Sequence, residues 1–223
     1  MSYTVNDWRD HDERAAYTYY KDPDHSIYFP HEDEQLTPSM RQYLNKRNLD
    51  ADTARRFGWY PANYRGPRII IPCIRTDFKN FWQGRLMDGA LEVGSVAEPL
   101  QYKRWESSYG PRGDALCFLN KEQKKLLVLV EGPMDALAAA MCGVSAIATL
   151  GVAASGPVLA HVAMLSQSYD KVLIVPDRDE MGAWIRIQSE LGRMGISTII
   201  VEPSAKDLAD CSQQRRSELI FGA

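Results

Sequence analysis

Four carboxylates stand at positions from which they could bind a metal ion together. Glu131, Asp177, Asp179 and Asp207 each come at or shortly after the end of a short apolar run of the kind that forms a buried parallel strand. Because the carboxyl ends of parallel strands meet at one edge of an α/β sheet, we expect these side chains to converge. Clustered carboxylates repel one another, and a divalent cation relieves that repulsion. Hard oxygen ligands without nearby Cys or His favour Mg²⁺ or Mn²⁺ over Zn²⁺.

Each of these acids also has a simpler interpretation. A single Asp or Glu after a strand is more often a helix N-cap or a solvated loop residue than a ligand. The shared position at one predicted sheet edge favours a common site for the four. Segment 151–156 contains glycines but lacks the lysine of a phosphate-binding P-loop, so we interpret it as a turn.

The elements that would position these acids alternate regularly along the second half of the chain. Apolar, β-branched runs predict strands at Leu126–Val130, Val144–Thr149, Lys171–Val175 and Ser197–Val201. The segments between them predict helices at Pro133–Cys142, Gly156–Gln167 and Glu180–Met194. A β-α-β-α-β-α-β series indicates a parallel sheet flanked by helices.

The first half of the chain has a different pattern. After an irregular opening, Thr37-Pro38 begins a predicted helix, and a second short helix is expected at Ala51–Phe57. The β-branched run Arg68–Ile74 predicts a strand, with Phe78–Met87 as its hairpin partner and a loop at Gly89–Pro99. This part is therefore expected to be a mixed α+β subdomain.

Charge is distributed unevenly among three parts of the chain. Residues 1–36 carry 3 basic and 9 acidic side chains, residues 37–125 carry 16 and 9, and residues 126–223 carry 7 and 11. The basic middle part is a candidate face for nucleic-acid phosphates, and a solvated surface is its equal alternative. The acidic opening part is either a docking arm for a partner or a solvating tail.

The composition excludes several classes of protein. The 223 residues are 45% hydrophobic and 25% charged, which is typical of a globular protein. No apolar run approaches the roughly 20 residues that span a bilayer, and no signal peptide is evident. The four cysteines are scattered, so neither a disulfide framework nor a zinc site is indicated. These features predict a protein of the cytoplasm, without membrane contact.

Three motifs resemble those of a known family. The segment from Val130-Glu131-Gly132 to Leu137 is similar to the Glu-Gly motif of Toprim domains in DnaG-type DNA primases. Asp177-Arg178-Asp179 resembles the Asp-x-Asp motif of these domains, and Lys206-Asp207 their later Lys-Asp element. The upstream Arg68 and Gly84-Arg85 follow the order of the primase basic region. The resemblance covers about residues 37–210 and is to a minimal, phage-like catalytic core.

The resemblance implies a Toprim parallel sheet flanked by helices, preceded by the basic α+β subdomain. The expected domains are an acidic N-terminal arm at 1–36, the basic primase subdomain at 37–124 and a Toprim domain with a short C-terminal tail at 125–223. The implied catalytic residues are Glu131, Asp177 and Asp179, and the implied metal ligands are Glu131, Asp135, Asp177, Asp179 and Asp207. The implied nucleic-acid or nucleotide contacts are Arg68, Arg85, Lys103 and Lys206.

The activity implied by the resemblance is synthesis of short RNA primers from ribonucleoside triphosphates on single-stranded DNA, with Mg²⁺ or Mn²⁺ and without zinc. A helicase or other replication protein is the expected partner, in the host cytoplasm if a phage encodes the chain. One motif departs from the family, because Gln101 stands where its Lys-Tyr element has lysine, and Lys103 is a candidate substitute. A Toprim nuclease and a catalytically weak nucleic-acid-binding or replication-regulating module remain alternatives.

Overall fold

The computed structural model describes most of the chain from residue 36 onwards. The described residues are 36–63, 67–75, 80–87, 104–108, 112–122, 125–151 and 154–222. The predicted loop Gly89–Pro99 and nearly all of the predicted acidic arm lie outside them. Within the described ranges, no helix has the length and apolar character needed to cross a membrane. The chain divides into two compact units.

The first unit combines two short helices with antiparallel strands. Its elements are α1 (Pro38–Lys46), α2 (Ala51–Arg56), β1 (Tyr60–Asn63), β2 (Pro67–Arg75), β3 (Asn80–Leu86) and β4 (Trp105–Ser107). Strand β2 pairs with both β1 and β3, and β3 pairs with β4. The pairing of β2 with β3, with Ile70 opposite Gly84, confirms the predicted hairpin. Strand β2 is buried from Arg68 to Cys73, as its β-branched sequence predicts.

The second unit contains the predicted alternation of strands and helices. Its elements are β5 (Ala115–Leu119), β6 (Leu126–Val130), α3 (Pro133–Met141), β7 (Ser145–Ala148), α4 (Gly156–Ser166), β8 (Lys171–Ile174), α5 (Met181–Arg193), β9 (Thr198–Ile200) and α6 (Gln213–Phe221). The strand order is β5-β7-β6-β8-β9. Strands β6 to β9 are parallel, as predicted, and β5 runs antiparallel to β7.

Packing on the strands of the second unit explains their continuous apolar sequences. One cluster joins Leu127, Leu129 and Ile147 of the strands to side chains of α4 and α5, including the fully buried Trp184. Helix α3 packs on β5, β6 and β7 and against α6. Strands β6 and β7 are buried along their whole length, which confirms the predicted α/β sheet.

The structure differs from the sequence prediction at both ends of the second unit. Strand β5 was not predicted, and it groups with this unit because it pairs with β7, so the unit begins before the expected boundary at residue 124. The expected C-terminal tail contains α6, which begins at a Ser212 N-cap and buries Arg216, Leu219 and Ile220. Residues 47–49 also group with this unit.

Candidate metal centre

Glu131 lies at the carboxyl end of β6, in the turn that begins α3. Strand β6 is buried along its whole length, so its end fixes the position of Glu131. Gly132 is the N-cap of α3, and Pro133 follows in the first turn. The Glu131 side chain is half-buried, and its Oε2 atom has no hydrogen-bond partner among the described residues. A buried carboxylate oxygen without a donor is unfavourable, which points to a cationic partner.

Asp177 and Asp179 follow β8 in the same parallel sheet, on the neighbouring strand to β6. Asp177 is half-buried and precedes a short 3-10 turn at Arg178–Glu180, in which Asp179 is exposed. The turn is joined to the segment after β9 by a main-chain hydrogen bond, in which the Arg178 amide donates to the Lys206 carbonyl at 3.0 Å. This bond brings the loops that follow two strands together.

The electrostatics of Glu131 show how close these groups lie. Burial, followed by repulsion from Asp177, Glu180 and Asp179, raises the pKa of Glu131 to about 7, while Lys206 opposes that rise. Such a value places the Glu131 carboxyl in partial ionisation at neutral pH. The acids after β6 and β8 therefore share one electrostatic site, as their positions in the sequence predict.

Asp207 and Asp135 extend the same cluster. Burial, then repulsion from Asp207 and Asp179, raises the pKa of Asp177 to about 6. Asp135 lies buried in the first turn of α3, and its Oδ1 accepts a hydrogen bond from the Ala209 amide at 2.9 Å. Burial, then repulsion from Asp207, raises the pKa of Asp135, and the bond from Ala209 opposes that rise. All five predicted ligands thus interact with one another directly or through a neighbour.

The segment that contains this cluster matches a known family. Residues 128–212 fit the family model described as Toprim-like. These residues form a Toprim-like domain. The match contains the Glu131, Asp177 and Asp207 motifs on which the resemblance was based. No curated protein sequence matches the chain significantly.

Solved primase structures share the fold of most of the chain. The RNA polymerase domain of Mycobacterium tuberculosis primase DnaG, in complex with double-stranded DNA, is 18% identical with a TM-score of 0.59, covering 85% of this chain and 74% of that one. The primase fragment of the bacteriophage T7 primase-helicase protein is 16% identical, with a TM-score of 0.58 and coverages of 84% and 78%. The zinc-binding and RNA polymerase domains of the Aquifex aeolicus primase are 18% identical, with a TM-score of 0.62 and coverages of 83% and 56%. At these identities the likeness shows the fold.

The donor set of the Toprim-like domain suits a hard divalent cation. The five predicted ligands are all carboxylates, burial and then neighbouring carboxylates raise the pKa values of Glu131 and Asp177, and Glu131 has a buried oxygen without a donor. Within the described ranges, no three acidic, His or Cys side chains are grouped so that they could hold one ion as they stand. Metal binding would therefore involve rotation of side chains, for which the exposed Asp179 has room. The ligand assignments stay predictions.

Two charged residues of the cluster were not predicted from the sequence. Glu180 follows Asp179 in the 3-10 turn and contributes to the repulsion that Glu131 experiences. Arg47 lies far away in the sequence, and its Nη2 atom is 3.4 Å from Asp210 Oδ1 and 3.7 Å from Asp207 Oδ2. Glu180 could have been included from its adjacency to the Asp-x-Asp motif. No spacing rule connects Arg47 to an acid about 160 positions later.

Arg68, a predicted phosphate contact, is fully buried on β2 in the first unit. Its Nη1 donates to the main-chain carbonyls of Gly84 at 3.1 Å and Arg104 at 3.4 Å. A Cβ atom at Gly84 would lie 3.1 Å from Arg68 Cδ, so the glycine provides the room that the arginine occupies. This arrangement favours a structural role for Arg68 within the strand, and the predicted phosphate contact stays untested.

Arg85, on β3 of the first unit, is also mostly buried. Its Nε donates to the Tyr43 hydroxyl at 2.8 Å, and its guanidinium lies over the rings of Tyr43 and Trp105. A guanidinium over aromatic rings stabilises the packing around it. Lys206 is exposed beside the carboxylate cluster. Lys103 lies outside the described residues. The phosphate-binding roles of these three residues stay predictions.

Proposed function

We propose that this protein is the catalytic core of a DNA primase, which joins ribonucleoside triphosphates on a single-stranded DNA template with Mg²⁺ or Mn²⁺. The observation that carries this proposal is the convergence of five acids in a Toprim-like domain, within a chain whose fold is shared by primase domains over more than four fifths of its length.

The carboxylates have distinct environments, which suit distinct roles. Glu131 and Asp177 are half-buried with raised pKa values, so both gain from a cationic ligand. Asp135 and Asp207 each accept a main-chain amide, which fixes one oxygen and orients the carboxylate. Divalent ions held by such a set would activate the attacking 3′-hydroxyl and stabilise the leaving pyrophosphate.

Lys206 is the cationic residue best placed to act on a nucleotide. It is exposed, and its charge already lowers the pKa values of both Glu131 and Asp177. An ammonium group at the rim of an anionic site can contact a triphosphate without a fixed geometry. We therefore propose that Lys206 binds the incoming nucleotide and that basic residues of the first unit bind the template.

The proposed partners are single-stranded DNA, ribonucleoside triphosphates and a replication protein such as a helicase. Two of the similar structures support nucleic acid and a helicase as partners: the mycobacterial domain was solved with double-stranded DNA, and the phage fragment comes from a primase-helicase protein. Phosphate contacts alone bind nucleic acid weakly at physiological salt, with dissociation constants of roughly 10⁻⁴–10⁻⁶ M. Tethering to a DNA-bound partner would raise the effective concentration of template to about the mM range.

The test is incubation of the purified protein with single-stranded DNA, labelled ribonucleotides and Mg²⁺ or Mn²⁺. We expect short labelled primers from the wild type, and less than about one hundredth of that yield from Asp177→Asn or Asp179→Asn, because each removes a ligand charge. Asp170→Asn is the matched control, since Asp170 is an exposed acid that precedes the opposite end of β8. Shortened template without primer would establish a nuclease instead, and binding without either product would establish a non-catalytic module.

A further inference from the structure

Arg216 of helix α6 is a fully buried arginine bonded mainly to the main chain. Its exposed fraction is 0%. The Nε atom donates to the Leu208 carbonyl at 3.1 Å, and Nη2 donates to the Ala209 carbonyl at 2.6 Å. Nη1 donates to the Asn48 carbonyl at 2.9 Å, and Nη2 also donates to the Arg47 carbonyl at 3.0 Å. One guanidinium therefore joins two segments that are far apart in the sequence.

Both segments belong to the rim of the carboxylate cluster. The Ala209 carbonyl accepts from Arg216, and the amide of the same residue donates to Asp135 Oδ1 at 2.9 Å. The next amide, of Asp210, donates to Asp207 Oδ1 at 2.8 Å. Ala209 is thus held from both sides, by a buried cation and by a buried carboxylate.

The second segment carries Arg47, whose side chain lies beside Asp207 and Asp210. Because Arg216 binds the carbonyl of Arg47 itself, it fixes the backbone from which this second cation extends. The same guanidinium therefore determines where the segment 207–210 lies and where its ion-pair partner begins.

Burial of a guanidinium is unfavourable unless its donors are satisfied and its charge is balanced. Within the described part of the chain, Arg216 makes no direct ion pair with a carboxylate, and carbonyls take its donors. Burial lowers the pKa of Arg216, and the charge interactions with Cys142 and Cys211, then with Asp135 and Asp207, oppose that fall. The shared residue Ala209 connects this buried arginine to the carboxylate cluster.

We propose that Arg216 is a positioning residue of the metal centre: it holds the segment 207–210 so that Asp207 and the Ala209 amide face Asp135. This inference rests on the proposed function, since it assigns Arg216 to the same metal site. The proposal predicts that holding the segment 207–210 requires the number and planar arrangement of the guanidinium N–H donors, as well as the positive charge. Lysine offers three donors from one nitrogen and cannot reach four carbonyls in the plane of a guanidinium.

The first test is amide hydrogen exchange of the metal-free, full-length protein. In Arg216→Lys we expect the Ala209 and Asp210 amides to exchange about tenfold faster, because the carbonyl bonds that hold them are lost. Amides within β6 should keep their wild-type rates. Arg215→Lys is the matched control, since this neighbour is half-exposed and bonds to Ser204 and Glu218 instead. Unchanged exchange at Ala209 and Asp210 in Arg216→Lys would overturn the proposal.

The second test measures Mn²⁺ binding. The electron paramagnetic resonance signal of the free ion reports how much Mn²⁺ is bound, at a temperature where both the wild type and Arg216→Lys are folded. We expect Arg216→Lys to bind Mn²⁺ at least about tenfold more weakly, the usual effect of losing support behind a ligand. A purely structural role would lower the melting temperature and leave this affinity unchanged, and that result would refute the proposal. Failure of the wild type to bind Mn²⁺ would instead refute the proposed metal-dependent function. The hydrogen-exchange experiment would then still decide whether Arg216 holds the segment 207–210.

If Arg216→Lys does not fold, native-state amide hydrogen exchange of the wild type in low denaturant tests the proposal instead. The proposal requires the Ala209 and Asp210 amides to open together with the amides of α6, with the same denaturant dependence. Opening of the segment 207–210 while α6 stays closed would overturn it.

Discussion

Replacement of Glu131 by glutamine should stabilise the metal-free protein, and the gain should depend on pH. The pKa of Glu131 is raised from 4.5 to about 7 by burial and by neighbouring carboxylates. A carboxyl whose pKa is higher in the folded than in the unfolded state destabilises the fold when it ionises. This penalty is absent below about pH 4.5, increases as the pH rises, and is complete above about pH 7. Glutamine keeps the shape of the side chain and removes the charge.

The size of the effect follows from the change in pKa. A rise from 4.5 to about 7 corresponds to about 3 kcal/mol, at about 1.4 kcal/mol per pKa unit. Glu131 is only half-buried, and solvent screening reduces such a value, so we expect a gain of about 1–2 kcal/mol in the free energy of unfolding at pH 8. At pH 4.5 the gain should fall well below this value, because the wild-type carboxyl is then largely protonated in the folded state.

Urea unfolding in the presence of a chelator, at pH 4.5 and pH 8, measures this difference directly. Glu122→Gln is the matched control, because Glu122 is an exposed residue of the same unit, where the same substitution should change stability by less than about 0.5 kcal/mol. A Glu131→Gln protein that is no more stable than the wild type at pH 8, or equally stabilised at both pH values, would refute the electrostatic argument. Excess Mg²⁺ should reverse the order of stability if Glu131 is a ligand, because only the wild type gains from the ion.

Three other substitutions test the packing around the predicted site residues. Arg85→Ala should lower the free energy of unfolding by about 1–3 kcal/mol, because it removes a guanidinium that lies over two aromatic rings and its hydrogen bond. If stability is unchanged and the slope of log K for single-strand binding against log salt concentration falls by about 0.7, Arg85 is instead a phosphate contact. Gly84→Ala should cost about 1–3 kcal/mol in thermal unfolding, because its Cβ would lie 3.1 Å from Arg68 Cδ; a neutral effect would show that Arg68 can move. Gly132→Ala places a Cβ 3.0 Å from Asp135 Oδ2, so the Asp135 carboxylate must shift. This shift should weaken Mn²⁺ binding about tenfold, and an unchanged affinity would exclude Asp135 from the metal site.

The arrangement of the acids could be predicted from the sequence because it depends on local rules. A continuous apolar run specifies a buried strand, and a parallel strand delivers the residue after it to a known edge of the sheet. Glu131 and Asp177 obey this rule directly, and the structure places both in one electrostatic cluster. The same reasoning led to Asp207, a few residues beyond the fourth predicted strand, and the resemblance of Lys206-Asp207 to a family motif supported it.

The supporting residues could not be predicted, because their roles depend on contacts distant in sequence. Arg216 is one of two adjacent arginines near the C-terminus, and neither its type nor its spacing indicates that it is fully buried. Arg68 was predicted to face phosphate from its place in a basic region, yet it lies buried beside Gly84. Charge in a sequence indicates a class of partner, whereas burial decides whether the charged group can reach that partner.

The grouping of residues 47–49 with the second unit has a consequence for the exchange of domains between proteins. A recombination event that transferred only residues 112–223 would transfer Arg216 without the Arg47 and Asn48 carbonyls that accept from it. The new host would have to supply two acceptors at the same place, or leave a buried cation with unsatisfied donors. A transfer that keeps the Arg216 contacts intact therefore includes residues 47–49, which lie outside the family match at 128–212.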